Sequence, residues 1–473
     1  MTQKHLHFIG IGGIGMSALA RMMLARGYRV SGSDIADGRE VQGLRREGAL
    51  CYQGHAPGQL GWPEAVVYSS AIPEDNPELC AARRRGVTVL HRARMLGFLM
   101  RESFGIAIAG SHGKTTTSGL LAWILHRTGH RPDAILGGEL MGLETNALSG
   151  GGPFFVAEAD ESDGSLLELS PQIAVVTSAD IDVNPNACAF RSCGFERRKL
   201  TREVEAVFEQ FADSLPPEGR LVVCHDHPRA RRLRRGGFKR SYGLGEGADV
   251  RGTRVSRQGL WACCTVLADG RRLGRLDVPM PGEHNLSNAL AAVTVCLELG
   301  IPFRAIAGAV REFPGVRRRF ERVGEANGVL FIDDYAHNPS KVRAALSAAR
   351  GVGAQRVVAL FQPHRYSRTR LFFDEFACAF EDADVLLMTD IYPAGEMPLL
   401  GTSSLRLLGA VRAHGKPERV LHTPGPEEIR LAVRAECQPG GLVLAMGAGS
   451  VSGWVRELPG LLAGSRAAAA ISA

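Results

Sequence analysis

What this chain lacks narrows the field before any motif is considered. No stretch of about 18 uninterrupted apolar residues occurs, which argues against a membrane-spanning helix and membrane insertion. The first residues, MTQKHLHFIG, have no charged segment followed by a long apolar run and a small-residue cleavage site. They read as the start of a strand rather than a signal peptide, and a soluble cytoplasmic protein is the expectation. The ten cysteines contain no C-x-x-C pair. Cys188 and Cys193 are five apart and Cys263 and Cys264 are adjacent. These spacings match neither a zinc site nor a secreted disulfide framework, so reduced thiols are expected. Lysine is scarce: arginine carries nearly all of the 56 basic charges behind the net charge of +7. The clusters Arg83-Arg84-Arg85 and Arg231, Arg232, Arg234 and Arg235 read as solvated surface, with anionic small substrates accounting for some of the rest, and no nucleic-acid partner is expected.

What is present is ordinary globular composition. Hydrophobic residues make up 45% and charged residues 22%, over 473 residues, enough for roughly three domains with cores of useful size. Strands alternate with helices throughout, which predicts an α/β chain with parallel sheets. The divisions fall at 1–103, 104–315 and 316–473. In the first part a strand at His5–Ile9 runs into Gly10-Ile11-Gly12-Gly13-Ile14-Gly15, and a helix follows at Met16–Arg26 with Met16, Leu19, Ala20, Met23 and Leu24 on one face. Strands follow at Tyr28–Ser31, leading into Ser33 and Asp34, and at Ala65–Ser69, leading into Ser70. In the second part, strands are expected at Ile106–Ala109, Phe154–Ala157, Ile173–Thr177 and Leu221–Cys224. Helices are expected at Thr201–Leu215 and after the turn at Pro281, up to Leu299. The third part has strands at Val329–Ile332, Val357–Phe361, Val385–Met388 and Gly441–Met446, and the tail Ala467–Ala473 is expected to fray.

Chemistry concentrates at strand ends. Gly110-Ser111-His112-Gly113-Lys114-Thr115-Thr116-Thr117 joins a buried strand to an apolar helix. Backbone N–H groups at such a turn point at phosphate, Lys114 can reach the outer phosphates and the Thr115 hydroxyl can bind Mg²⁺. Its first glycine stands three residues before Gly113 rather than five, so the loop is a shortened variant. The loop Gly10–Gly15 is less specific: a dinucleotide, another diphosphate and a plain tight turn all remain open, and Asp34 stands where an acid would meet a ribose. Glu158-Ala159-Asp160-Glu161-Ser162-Asp163 ends a strand with four carboxylates, a hard-oxygen set suited to Mg²⁺ or a solvated acidic turn. Asp333-Asp334-Tyr335-Ala336-His337-Asn338-Pro339 and Phe361-Gln362-Pro363-His364-Arg365-Tyr366-Ser367-Arg368 also follow strands. Arg365 and Arg368 can clamp a carboxylate or phosphate through bidentate hydrogen bonds.

Taken in order, HFIGIGGIGMSALA, SGSD, SSAIPEDNPEL, AGSHGKTTT, AEADESDGS, PGEHNLSNALAA, RRRF, DDYAHNP, FQPHRYSRTR and DIYPAGE make nearly the whole chain resemble the Mur ligases. HFIGIGGIGMS, FQPHRYSRTR and YPAGE resemble the branch that adds alanine. The resemblance implies an N-terminal Rossmann-like domain for the UDP end of the substrate, a central P-loop ATPase with a parallel sheet, and a C-terminal Rossmann-like domain for the amino acid. It implies a peptidoglycan-precursor ligase that uses ATP and Mg²⁺ to join L-alanine to UDP-N-acetylmuramate through an acyl phosphate; it specifies no oligomeric state. By position, Lys114, Glu158, His337 and Arg368 are the implied catalytic residues, with Thr115 and Glu158 as metal ligands. Gly110, Ser111, His112, Gly113, Lys114, Thr115, Thr116, His284, Asn285, Asn288, Arg319 and Asp334 are the implied ATP contacts, and Arg318 joins Arg319 near the phosphates. Gly12, Gly13, Ile14, Gly15, Ser33, Asp34, Ser70, His91, Tyr335 and Arg365 are the implied substrate contacts.

Two departures stand out. Ala336-His337-Asn338 is closer to other Mur ligases than to the alanine-adding branch. After Val176-Thr177 the family has a metal-binding histidine where this chain has Val183, and the stretch from there to Lys199 has no clear period. A compensated shift of reading frame and a true local variant both remain open for that stretch. So do two other readings of the whole chain: a catalytically impaired homologue that binds UDP-sugar and nucleotide, and a murein tripeptide recycling ligase. A nicotinamide dehydrogenase explains the first glycine loop but leaves the Lys114 loop unused.

Overall fold

In the computed structural model the described residues are 3–161, 164–180, 197–234 and 238–471. Ser162, Asp163, Asp182, Val183, Cys188, Cys193 and Arg235 lie outside them.

Three sheets organise the chain. The first comprises β1 (His5–Ile9), β2 (Arg29–Asp34), β3 (Leu50–Gln53), β4 (Ala65–Tyr68) and β5 (Thr88–His91), all parallel, in the order β3-β2-β1-β4-β5. Leu6, Phe8, Ile9, Val30, Val66 and Val67 are buried in it, the continuous apolar runs that a sheet covered on both faces requires. The helix Ile14–Ala25 buries Met16, Leu19, Ala20, Met22 and Met23, so the expected apolar face is the one that packs, and the helix starts two residues earlier than the apolar period suggested. The second strand also differs in extent. It continues to Asp34, so Ser33 and Asp34 belong to the sheet's last rungs rather than to the turn beyond it.

The second sheet comprises β6 (Phe104–Ala109), β7 (Asp133–Leu140), β8 (Thr145–Ser149), β9 (Phe154–Ala159), β10 (Ile173–Val176), β11 (Arg220–Cys224), β12 (Phe238–Gly243), β13 (Val250–Gln258), β14 (Trp261–Ala268) and β15 (Arg271–Val278). Its order is β15-β14-β13-β12-β11-β10-β6-β9-β7-β8. Its centre is parallel and wholly apolar: Ile106–Ala109, Phe155–Ala157 and Ile173–Val176 are buried. The helix Lys114–Arg127 follows β6 and is buried along most of its length, each large apolar side chain contributing about 1.5–3 kcal/mol.

The third sheet comprises β16 (Glu321–Ala326), β17 (Val329–Asp334), β18 (Arg356–Phe361), β19 (Val385–Met388), β20 (Arg419–His422) and β21 (Gly441–Met446), in the order β16-β17-β21-β18-β19-β20. Only β16 pairs antiparallel. Phe331, Val358, Leu360, Leu387, Val443 and Ala445 form a core with Ile429, Val433, Val451 and Val455 of the covering helices. Because β21 lies between β17 and β18, the chain reverses direction across the sheet there, and the C-terminal ends of these strands flank a crevice, the usual place for a ligand in an open α/β sheet. The last helix runs Val451–Ile471, so most of the alanine-rich tail expected to fray is helical, as alanine's propensity favours.

The chain divides into two compact units: Met1–Thr253 with Val266–Gly274 and Ser287–Pro314, and Arg254–Thr265 with Arg275–Leu286 and Gly315–Ala473. No helix among the described residues is long and apolar enough to cross a membrane.

Candidate active site

In the first unit, the loop after β1 is closed by its own hydrogen bonds. The N–H groups of Gly10 and Ile11 both donate to the Ser33 carbonyl, at 2.8 and 3.0 Å, and that of Gly13 donates to the Gly10 carbonyl. Gly12 N–H donates to Asp34 Oδ2 at 2.9 Å, and a Cβ at Gly12 would collide with that carboxylate and with Val41. Asp34 therefore braces the loop, in addition to standing at the strand end where a ribose acid is expected. Ile14 and Gly15 open the following helix, whose first-turn amides face outward along the axis. Ser33 Oγ donates to buried Glu78 and pairs with His55 Nδ1 at 2.8 Å. Burial alone would raise the Glu78 carboxyl; the His7 imidazole, 3.6 Å away, and the hydrogen bond from Ser33 more than offset it and hold the group below its ordinary range. Sequence reasoning missed Glu78, His7 and His55; the Asn76-Pro77-Glu78 run, with Asn76 capping the helix Pro77–Arg84, was the available signal. Ser70 Oγ and His91 Nε2 pair at 3.1 Å, and His91 Nδ1 accepts from Ala93 N–H as the cap of the helix Arg92–Arg101.

The loop Gly110–Thr117 occupies the end of β6, which lies between β10 and β9 in the parallel part of the second sheet. Gly113 has φ +82°, a conformation open to glycine, and a Cβ there would strike the Asn288 amide. Ser111 Oγ donates to the Asp180 carbonyl at 2.6 Å and His112 N–H to Ser178 Oγ at 2.9 Å, so the segment after β10 fixes the loop through one main-chain and one side-chain acceptor. Lys114 Nζ donates to the Gly110 carbonyl at 2.7 Å and to Glu161 Oε2 at 2.6 Å. Burial works against the ammonium, but Glu161, Asp160 and Glu158 outweigh it and hold its pKa above that of an ordinary lysine. Burial pushes the Glu161 carboxyl up to about 7, against the pull of Lys114. Thr115 is buried, with its hydroxyl 3.2 Å from Glu158 Oε2, and Thr116 is buried behind it. Glu158 also accepts from Ser118 Oγ at 3.1 Å and Gly137 N–H at 2.6 Å. A hydroxyl and a carboxylate adjoining at a phosphate-type loop are the hard-oxygen donors that fit Mg²⁺. Asp180 carries three cationic or ionisable neighbours, His227 at 3.1 Å, Arg229 at 3.2 Å and His112 at 3.3 Å. Burial opposes its ionisation, but the two histidines hold its pKa far below the carboxylate range.

The helix Glu283–Glu298 carries the His-Asn-x-x-Asn set. Asn288 Oδ1 accepts from Thr117 Oγ1 at 3.5 Å, which puts it against the Lys114 loop within the first unit. Asn285 is buried and donates to the Pro281 carbonyl at 2.8 Å, while His284 is exposed within the second unit and lines a cavity with Arg257, Glu283 and Ser347.

In the second unit the strand-end residues gather at the β17–β18 crevice. Asp334, at the end of β17, accepts from Phe320 N–H and Ala336 N–H, both at 2.8 Å, and burial pushes its carboxyl up to about 6 against the attraction of Arg319. The guanidinium groups of Arg318 and Arg319 lie over the Tyr335 ring at 4.7 and 5.1 Å. His337 Nδ1 pairs with the Tyr335 carbonyl at 2.7 Å, and its ring lies 6.0 Å from that of His364. After β18, Arg365 has φ +70°, and its N–H donates to the Tyr392 carbonyl at 2.8 Å. Glu396 accepts from Ser367 N–H and Oγ at 2.9 and 2.6 Å and stands 3.7 Å from Arg365. Arg368 donates to His364 Nδ1 at 3.2 Å. Burial and then Arg368, Arg365 and Arg318 push the His364 imidazole down to about 3, so it is neutral. His364, Tyr392 and Glu396 were not assigned roles from sequence, although FQPHRYSRTR and YPAGE contain them. His364 stacks on Tyr392 with ring centroids 5.6 Å apart.

Two glycine loops at strand ends, one with a lysine held among carboxylates, and a strand-end cluster of arginine, histidine and tyrosine are the equipment of an α/β enzyme that handles phosphorylated and carboxylated substrates. The Mur ligase family's catalytic-domain model matches residues 5–104, the Mur ligase middle domain 108–296 and the Mur ligase glutamate ligase domain 318–449. The chain belongs to the Mur ligase family, and its α/β architecture is the family's three-domain one. It is 44% identical over 455 residues to the UDP-N-acetylmuramate–L-alanine ligase of Pelotomaculum thermopropionicum, covering 95% of each chain. Among solved structures it is similar to the UDP-N-acetylmuramate–alanine ligase MurC of Thermotoga maritima, with a TM-score of 0.81 at 26% identity over 98% of this chain and 99% of that one. A murein peptide ligase from Psychrobacter arcticus shares the fold, with a TM-score of 0.68 at 22% identity over 97% and 99% of the two chains.

Proposed function

We propose that this chain is an ATP-dependent ligase that joins L-alanine to the lactyl carboxylate of UDP-N-acetylmuramate in the cytoplasm. The observation that carries this reading is the 44% identity across 95% of an alanine-adding relative, together with an intact Lys114–Thr115–Glu158 arrangement. Residues 1–103 take the UDP end, 104–315 the ATP and 316–473 the amino acid. A carboxylate is a poor electrophile, so ATP first phosphorylates it. The alanine amine then attacks the acyl phosphate, and phosphate leaves from a tetrahedral intermediate. Negative charge builds at each step, so positioned cations supply much of the catalysis.

Lys114 leaves Glu161 for the transferring phosphate. Thr115 and Glu158 would hold Mg²⁺, which would neutralise phosphate charge. The amides of Gly110–Thr116, with His284, Asn285 and Asn288, are the proposed ATP contacts, as are Arg319 toward the phosphates and Asp334 toward the ribose. Tyr335, His337, Arg365 and Arg368 orient the alanine and the carboxylate, and Gly12–Gly15, Ser33, Asp34, Ser70 and His91 hold the UDP-sugar. Formation of ADP in a coupled assay with UDP-N-acetylmuramate, while the amino acid is varied, tests the reading. Turnover with alanine supports it. Preference for a tripeptide in direct competition indicates the recycling ligase, and nucleotide binding without single-turnover phosphate release indicates the impaired homologue.

A further inference from the structure

Away from the crevice, the second unit holds a thiol, an imidazole and a carboxylate in series. Cys378 follows the short helix Phe373–Ala377, and His414 is the last residue of the helix Ser404–His414. Cys378 Sγ lies 3.7 Å from His414 Nδ1, and His414 Nε2 lies 2.8 Å from Glu381 Oε1. With its Nε2–H given to Glu381, the imidazole presents Nδ1 to the thiol as a proton acceptor. Cys378 is partly exposed and lines a cavity of about 310 Å³ with Arg343, Ser347, Glu381 and Asp382. The other described thiols are differently placed. Burial pushes those of Cys51, Cys224, Cys263, Cys264, Cys296 and Cys437 up, and Cys80 donates to a backbone carbonyl at 3.5 Å. Cys378 is the one thiol among the described residues that combines an imidazole acceptor, a carboxylate behind that imidazole, and a cavity in front of the sulfur.

We propose that Cys378 is a covalent modification site that exchanges with low-molecular-weight disulfides, with His414 as its proton acceptor and Glu381 as the residue that orients His414. In the exchange, the Cys378 S–H proton moves to His414 Nδ1, and the thiolate sulfur attacks one sulfur of the incoming disulfide. A new S–S bond forms as the old one breaks, and the departing thiolate takes the proton back from the imidazolium. Cys378 is oxidised to a mixed disulfide while half of the reagent is reduced to a free thiol, so the step needs no further oxidant. The nucleophile is the thiolate, and an imidazole nitrogen beside the sulfur gives its proton an acceptor as the attack proceeds.

The test uses the full-length protein and bis(2-hydroxyethyl) disulfide, a neutral probe that removes charge steering by Arg343, Glu381 and Asp382. The mixed disulfide is followed on the Cys378 and Cys80 peptides by mass spectrometry at pH 7. Cys378 is expected to react roughly tenfold faster than Cys80, with His414→Gln removing most of that advantage and Glu381→Gln part of it. Equal rates at Cys378 and Cys80 overturn the proposal, as does an unchanged Cys378 rate in His414→Gln. Cys378→Ser is expected to lose the adduct on that peptide while keeping wild-type ligase turnover. The adduct rates on the two peptides do not depend on the identity of the ligase substrates, so their failure is distinguishable from failure of the proposed function.

Discussion

Lys114 sits among Glu158, Asp160 and Glu161, whereas Arg365 and Arg368 crowd neutral His364, with Glu396 the nearby carboxylate. In the first region the cation is compensated before any ligand arrives, so the ligand must compete with Glu161 for it. In the second, Arg365 is held below its ordinary value by burial and by Arg368, and His364 is held down to about 3 by burial and its arginines. Such a cluster gains on meeting an anion, because the anion relieves repulsion as well as adding hydrogen bonds. One region stores its charge in a pair to be exchanged; the other keeps charge in excess.

The largest break in this comparison is expected from Lys114→Ala. Turnover should fall on the order of 10²–10³-fold, since one charge-stabilising donor is lost from the transition state. Calorimetric binding of UDP-N-acetylmuramate should persist, because the first glycine loop is held by its own bonds. Wild-type-like turnover would remove Lys114 from the phosphate path.

Arg368→Lys should cost about 10- to 100-fold in kcat/KM for alanine, since an ammonium cannot both donate to His364 and fork onto a carboxylate. Unchanged steady-state constants would show that Arg368 does not clamp substrate.

Glu161→Gln sharpens the contrast in the opposite direction. Freed from its counter-charge, Lys114 should accept phosphate more readily, and the KM for ATP should fall roughly three- to tenfold. Since the Glu161 carboxyl titrates at about 7, the gain should be larger at pH 8, where the wild-type group is ionised, than at pH 6. A rise in KM at both values would mean that Glu161 itself serves the nucleotide.

The smallest effect concerns stability. His364 titrates at about 3 in the folded protein, below an unfolded imidazole at about 6.5. Its neutral form therefore contributes stability that is complete above pH 6.5 and is lost as pH falls from there toward 3. The loss is on the order of 1 kcal/mol at pH 5.5 after allowance for partial exposure. Melting of His364→Gln between pH 7 and 5.5 should accordingly be flatter than that of wild type; parallel curves would show that the imidazole is protonated at ordinary cost.

Much of this was legible in the sequence, for identifiable reasons. The buried parallel strands at His5–Ile9, Val385–Met388 and Gly441–Met446 fall where unbroken apolar runs place them, because a sheet covered on both faces tolerates little else. The strands Val250–Gln258 and Arg271–Val278 were not read, because VRGTRVSRQ and RRLGRLDV are largely polar and exposed along their length and gain their pairing from sheet neighbours rather than from burial. Lys114, Thr115 and Glu158 could be read from the loop spacing and the acidic run. Glu161 was visible only as one of four carboxylates. Its distinction, near-complete burial against Lys114, is a property of packing. His364 was hidden for the same reason: its neutrality comes from burial and then from arginines that two separate segments, before β16 and after β18, bring up to it.

The brace from Asp34 to Gly12 has a consequence for the timing of order. Gly10, Ile11, Gly12 and Gly13 all have their amides committed within the protein. The loop thus acquires its shape when the sheet folds, not when a ligand lands. In amide hydrogen exchange these four positions should already be slow in the free protein and gain little when a diphosphate binds. The added protection should fall on Ile14, Gly15 and Met16, whose first-turn amides have no partner within the helix. A ligand meeting such a loop spends little on ordering backbone, so its residence time is set by the contacts it makes rather than by the slow closing of the chain around it.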